Sequence, residues 1–258
     1  MTALNRVRII AEGYFAEILS TVAIRQSYND LIVSQASSLF AAFSHDATTK
    51  SKLSLALRHK DADASSLYRA LVLQANGVFE QYIRGFVAAV AEKKCEGVAK
   101  YIDLGEQFRM EYVHSAANVL ACIKKGNIQG QDYDFSGLLE SLGMCISGNP
   151  KFHIKSDVFT ILLGNCTADR LEKLFSVLEL PEPFSPQVGD NKKLKACMKE
   201  QRRVQVAKMT KDELDRQIVL RNRIAHGDMQ PSITSGDVQE TVAFFSALID
   251  VFDEFANR

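Results

Sequence analysis

The sequence predicts an all-α fold on three observations. Apolar residues recur three and four apart through most of the 258 residues, strict alternation of the strand kind is scarce, and the stretches between periodic segments carry helix start and stop signals. A chain of this length can bury a sizeable core in one domain. We read residues 1–258 as a single helical domain, with 1–60 an N-terminal helical extension and 61–258 a core organised round one long central helix.

The elements follow in order. Val7, Ile10, Tyr14, Ile18 and Val22 make one stripe, and Leu31, Ser34 or Gln35, Ser38 and Ala42 continue it after a turn expected at Ser27-Tyr28-Asn29-Asp30, which gives two helices. Residues 44–49 are polar enough for a loop, and 50–60 fit either a short helix or a connector. The strongest scaffold element spans about Ser65 to Lys94, roughly 45 Å of helix. Leu67, Leu71, Ala75, Val78, Phe79, Tyr82, Phe86 and Val90 share one face, and parts of the segment are apolar almost all round, so it is expected to be central and buried. Glu80 lies mid-helix on it, four residues before Arg84, in position for an ordinary i,i+4 ion pair.

A further helix is expected from Gly105 to Lys125, capped by Gly126, then segments over Phe135–Cys145, Asp157–Leu163 and Ala168–Leu178. Asp132 and Asp134 are two carboxylates without the further oxygen ligands of a cation loop. The prolines at 181, 183 and 186 forbid a continuous helix and separate these segments from the C-terminal part. Lys192, Lys193, Lys195, Lys199, Arg202, Arg203 and Lys208 form the most basic stretch of the chain. Such a run is commonly a solvated face, but Lys199, Arg202, Arg203 and Lys208 stand as candidate phosphate contacts because they precede the motif below. No aromatic residues interleave them, so a base-stacking platform is not visible. Thr210-Lys211-Asp212-Glu213 has the form of a capping box starting the penultimate helix, with Leu214, Ile218 and Ala225 as its apolar side and Leu220 and Ile224 beside them. Asp237-Val238-Gln239-Glu240 repeats that form at the start of a last helix, which should bury Val242, Phe245, Leu248, Ile249 and Phe252.

Composition narrows the classes of function. The 31 basic and 31 acidic side chains cancel, so the whole protein is not a polyelectrolyte for nucleic acid, and any such contact must be local. The five cysteines (95, 122, 145, 166 and 197) are odd in number and include no C-x-x-C pair, which points to free thiols in a reducing compartment and against a disulfide framework or zinc site. No metal or other cofactor is expected. The start of the chain lacks the apolar core of a signal peptide, and no apolar run approaches the ~20 residues that cross a bilayer. A cytoplasmic protein with no membrane association is the expectation. Gly-rich phosphate loops, H-E-x-x-H and nucleophile elbows are absent from the sequence.

One stretch carries chemistry: Arg221-Asn222-Arg223-Ile224-Ala225-His226-Gly227. Gly227 should end the helix. Asn222 and His226, four apart, fall on one face, and Arg221 sits one step round with a stem long enough to approach them. A fixed cation, an amide and an imidazole, the side chain that titrates near neutral pH, are together suited to acid–base chemistry on a phosphate. Basic residues and a His before Gly also make an ordinary helix C-terminus.

The full string Arg-Asn-x-(apolar)-Ala-His-Gly, at the end of a penultimate helix and followed by a short turn and a last amphipathic helix, resembles the signature of the HEPN superfamily, in its RiboL-PSP-like or a related single-domain branch. The resemblance implies an elaborated HEPN-like helical bundle. It also implies a metal-independent endoribonuclease with Arg221, Asn222 and His226 as its catalytic residues and Glu80 and Arg223 supporting them, Glu80 by orienting Arg221. Toxin–antitoxin and anti-phage systems are common settings of such enzymes, so an antitoxin or defence partner protein is implied as well. Some members keep the fold and act only as modules for protein or RNA binding and dimerisation, which is the rival reading here.

The chemistry these residues would support is metal-free RNA cleavage. A base takes the ribose 2′-OH proton, the oxygen attacks the adjacent phosphorus, an acid protonates the departing 5′-oxygen, and a cation stabilises the transition state. His226 fits proton transfer and Arg221, with its planar fork of donors, fits the phosphate; DNA lacks the internal nucleophile. Each chain presents one motif His, and His45, His59, His114 and His153 have no visible link to it. A homodimer, or a heterodimer with another HEPN chain, would supply the second proton carrier.

Overall fold

The computed structural model describes residues 2–42, 46–59, 62–122, 127–128, 131–227 and 232–257. The fold is all-α. In chain order the helices are α1 (Ala3–Ala42), α2 (Ala47–His59), α3 (Ala62–Glu96), α4 (Glu106–Cys122), α5 (Phe135–Ile146), α6 (Ala168–Val177), α7 (Lys192–Met198), α8 (Arg203–His226) and α9 (Ser235–Ala256). Short 3-10 turns lie at Tyr101–Asp103, Ser156–Phe159 and Val188–Asp190. Among the described residues the only strands are two of two residues each, Asn127–Ile128 and Gln131–Asp132, paired antiparallel.

α3 is the axis of the bundle, as its apolar content predicts. Its 35 residues rise roughly 52 Å, and Val72, Ala75, Phe79, Ile83, Phe86, Val87 and Ala91 are sealed from solvent. α9 lies beside it, with Phe79 stacked on Phe245 at 4.5 Å between ring centres. Phe175 of α6 closes against both Phe86 and Phe252. Burying such rings is worth about 1.5–3 kcal/mol each in transfer free energy, so this aromatic spine fixes where α6, α3 and α9 meet. All five residues expected in the core of α9 are buried. Its start differs from expectation: Thr234 is the cap, accepting from Asp237 N at 3.3 Å, while Asp237 Oδ2 accepts from Thr234 N at 2.8 Å. Asp237 is thus the third helical residue of the capping box, not its first member.

α1 is one continuous helix rather than two. Among its described side chains the residues it buries are Leu4, Ala11, Phe15, Ile18 and Val22, so the seam is shifted from the expected stripe, and Ile10 and Tyr14 face solvent at 46% exposure each. Val7 packs partly against the core, where a Cβ on Gly85 of α3 would lie only 2.8 Å from it. Glycine there lets the two helices approach. Residues 23–31 of α1 include no buried position, which is why the polar Ser27–Asp30 segment can continue the helix. At its other end α1 is fastened to α9 by Arg8, which donates to Asp250 at 2.6 Å and Asp253 at 3.4 Å. Tyr82 of α3 donates to the same Asp253 at 2.7 Å.

Other departures are local. The 157–163 segment is a 3-10 turn over Ser156–Phe159 followed by loop, not an α-helix. Asp134 caps α5 by accepting from Gly137 N at 2.9 Å and pairs with Lys155 at 2.7 Å, so its carboxylate has a structural task. Gly126, the expected cap of α4, lies outside the described residues. All five cysteines are free thiols, and no helix among the described residues is long and apolar enough to cross a membrane.

Candidate active site at the end of α8

α8 starts seven residues earlier than its sequence signal. Thr210 is fully buried within the helix, and its hydroxyl donates to Val206 O at 2.8 Å, a bond that lets threonine sit inside a helix. Glu213 receives Arg216 and Gln217 instead of a helix-start N–H. The end is as expected: Gly227 adopts φ 71°, a left-handed conformation that favours glycine, and its N–H reaches Ile224 O at 3.3 Å. Leu214 and Ile218 are buried, Leu220 and Ile224 pack partly against the core, and Ala225 is exposed rather than part of the apolar side.

The motif residues divide between faces of this helix. With 3.6 residues per turn, Arg221 and His226 point roughly 140° apart around the axis. Arg221 falls on the side that packs towards α3 and is half-buried. Asn222 shares a face with Asp215 and Lys211, and that face meets α6: Asp215 accepts from Ala168 N at 2.9 Å, and Lys211 pairs with Asp169 at 3.2 Å and Glu172 at 2.8 Å. Asn222 Oδ1 accepts from Arg221 Nη1 at 3.1 Å and from Asn165 Nδ2 at 3.2 Å. His226 is only about 40° round from Asn222, and with Val219 and Arg223 it forms the outer, exposed edge of that side. Among the described residues no hydrogen bond joins His226 to Arg221 or Asn222.

Glu80 stands behind Arg221. Burial pushes its carboxyl above the ordinary range, opposed first by the charge of Arg221 and then by that of Arg84, and its Oε1 is buried without a hydrogen-bond partner. Arg84 donates to Thr160 O at 3.1 Å, so the expected ion pair with Glu80 is not formed, and both arginines act on the carboxylate through their charge alone. Cys166 also neighbours Glu80; burial, with the nearby carboxylate, pushes its thiol up to about 12. A thiol held so high is not a nucleophile at neutral pH.

The basic stretch lies elsewhere. Arg203 opens α8 and is roughly 35 Å along the axis from His226, Lys208 roughly 27 Å. Arg202 pairs with Glu200 at 2.9 Å and Arg203 with Asp190 at 2.6 Å, while Lys199 is the left-handed residue ending α7. The structure does not bring these candidates to the motif. His114 is on the exposed side of α4, 3.9 Å from Glu111, His153 is exposed, and the His45 and His59 side chains lie outside what is described. No group of three metal-ligating side chains occurs among the described residues.

Sequence reasoning singles out Arg221, Asn222, His226 and Glu80, with Arg84 as the neighbour of Glu80, but not Asn165. Asn165 opens an Asn-Cys-Thr glycosylation-acceptor form but no motif of this chemistry, and only the packing of the loop before α6 on α8 reveals its contact. The family model described as RiboL-PSP-HEPN matches residues 34–258. No curated protein and no solved structure matches. That family model spans α3, α8 and α9 and includes every motif residue, and the chain therefore belongs to the RiboL-PSP-HEPN family, within the HEPN superfamily.

Proposed function

We propose that this protein is a metal-independent endoribonuclease, with His226 moving protons, Arg221 stabilising the phosphate and Asn222 orienting the pair. The observation that carries this reading is the bond from Arg221 to the Asn222 amide, close enough to the half-buried Glu80 carboxylate for the charges to act on each other, with the exposed imidazole of His226 five residues further along the helix. A plain helix terminus needs no such support for one arginine. Arg223 on the outer face can assist at a phosphate. Lys199, Arg202, Arg203 and Lys208 would touch RNA only if it runs the length of α8. The setting is a cytoplasmic toxin or defence system with an antitoxin or other partner protein restraining the enzyme.

The separation of His226 from Arg221 within one chain has two readings. A second copy across the outer face of α8 would complete the site, with the exposed Ile10 and Tyr14 of α1 available for the same contact beside Glu80 on α3. Without that completion the protein is a silent HEPN module that binds RNA or protein. An RNA cleavage assay distinguishes them. Wild type should cut in EDTA and leave 2′,3′-cyclic phosphate ends, and His226→Ala should be at least ~100-fold slower. A His226→Ala protein that cuts at the wild-type rate excludes the catalytic assignment, and activity that requires magnesium excludes the mechanism.

A further inference from the structure

Asn222 can present its amide in two orientations, and its neighbours decide between them. An arginine only donates, so the atom facing Arg221 Nη1 at 3.1 Å must be the amide oxygen. The same oxygen faces the Asn165 amide at 3.2 Å, so Asn165 must present its NH2 group. Both lone pairs of Asn222 Oδ1 are then occupied, and its own NH2 group is turned outward, free to donate. Asn165 can do this because its loop is held on both sides. Arg170 Nη1 donates to Asn165 O at 2.9 Å, Cys166 is buried, and Ala168 N is fixed to Asp215 of α8 at 2.9 Å. The loop is therefore pinned to the helix that bears the motif, one residue from the packed thiol and three from the Asp215 contact.

We propose that Asn165 is a positioning residue of the site: it locks the Asn222 amide with its oxygen on Arg221 and its NH2 group outward, towards the face that holds His226 and would receive a phosphate oxygen. This rests on the ribonuclease reading for its kinetic consequence but not for the contact itself. Without Asn165, one lone pair of Asn222 is unfilled, the amide can rotate, and Arg221 loses the acceptor that sets its guanidinium plane. The substrate would still bind, because Asn165 supplies no charge; the reacting geometry would suffer. A misplacement of about 1 Å is enough to cost on the order of 100-fold in rate.

The experiment is a double-mutant cycle on the full chain. Asn165→Ala is expected to lower kcat roughly 10- to 100-fold with little change in KM, and to add less than about 2-fold when introduced into Asn222→Ala, because it acts through that residue. Independent, multiplicative effects would overturn the proposal, as would wild-type kcat in Asn165→Ala. Asn165→Asp keeps the shape without the donor; it should show the same fall in kcat, and covers the case in which Asn165→Ala fails to fold. If wild type does not cleave RNA at all, the functional reading fails, and the contact is still read by NMR. Asn165→Asp should then shift or broaden the side-chain amide signals of Asn222 and the guanidinium signals of Arg221, and unchanged signals overturn the proposal.

Discussion

At the residue scale Arg221 and His226 differ in what else they do. His226 is exposed at a helix end, so its removal should change stability by no more than about 0.5 kcal/mol. Arg221 is half-buried and its charge opposes the cost of the Glu80 carboxylate, whose Oε1 is buried without a hydrogen-bond partner. The Glu80 carboxyl titrates above its ordinary range, so the folded state penalises its ionised form. Stability tied to Glu80 is therefore greatest at low pH and falls as pH rises from the ordinary carboxylate value through the raised one. Removing Arg221 extends that window upward. We expect Arg221→Ala to cost about 1–3 kcal/mol at pH 8 and distinctly less at pH 4.5, as measured by urea unfolding. Equal losses at the two pH values would mean that Arg221 does not compensate Glu80.

At the element scale the helices that were legible are those whose burial agrees with their local signals. α3 and α9 have apolar faces wide enough that several possible boundaries give the same answer, and Gly227 ends α8 because a left-handed residue is needed there. The misread starts have one physical cause: Ser, Thr, Asp and Asn can cap a helix or sit inside one by bonding to the carbonyl four residues back. Thr210 does the second, Thr234 the first. In α1 the shift of the buried seam to Ala11 and Phe15 depends on where Gly85 admits it, a property of the partner helix that α1's own periodicity does not contain. Asn165 was illegible for a similar reason, since its contact spans 57 residues of chain. The Thr234 cap gives a direct test. Thr234→Ala should cost about 1 kcal/mol, and Asp237→Ala added to it should cost less than it does alone, because each side chain satisfies the other's backbone N–H. Strictly additive losses in chemical denaturation would show that the two caps act separately.

At the scale of the whole molecule, one chain presents a single motif imidazole, whereas the in-line cleavage proposed above would use both a proton acceptor and a proton donor. Arg221 is directed inward between α3 and α8, while His226 points outward from a face that also exposes Val219 and Arg223. A two-fold axis beside that face would place a second His226 and a second Arg223 opposite the first pair, giving one proton acceptor, one donor and a local positive charge in a protein whose net charge is zero. Because the contact would be self-complementary, each mixed dimer would contain one intact and one altered motif. Equal amounts of wild-type and His226→Ala chains, allowed to exchange, should form about half mixed dimers by random assortment of a two-fold pair. If both imidazoles act in one cleft, only the wild-type pairs cut, and activity falls to roughly a quarter of that of wild type alone at the same total concentration, rather than to the half that simple dilution gives. Light scattering on the same samples should give twice the chain mass. Activity at half of wild type, from a particle of single-chain mass, would instead place the second proton carrier within one chain and leave the outer face of α8 without a partner copy.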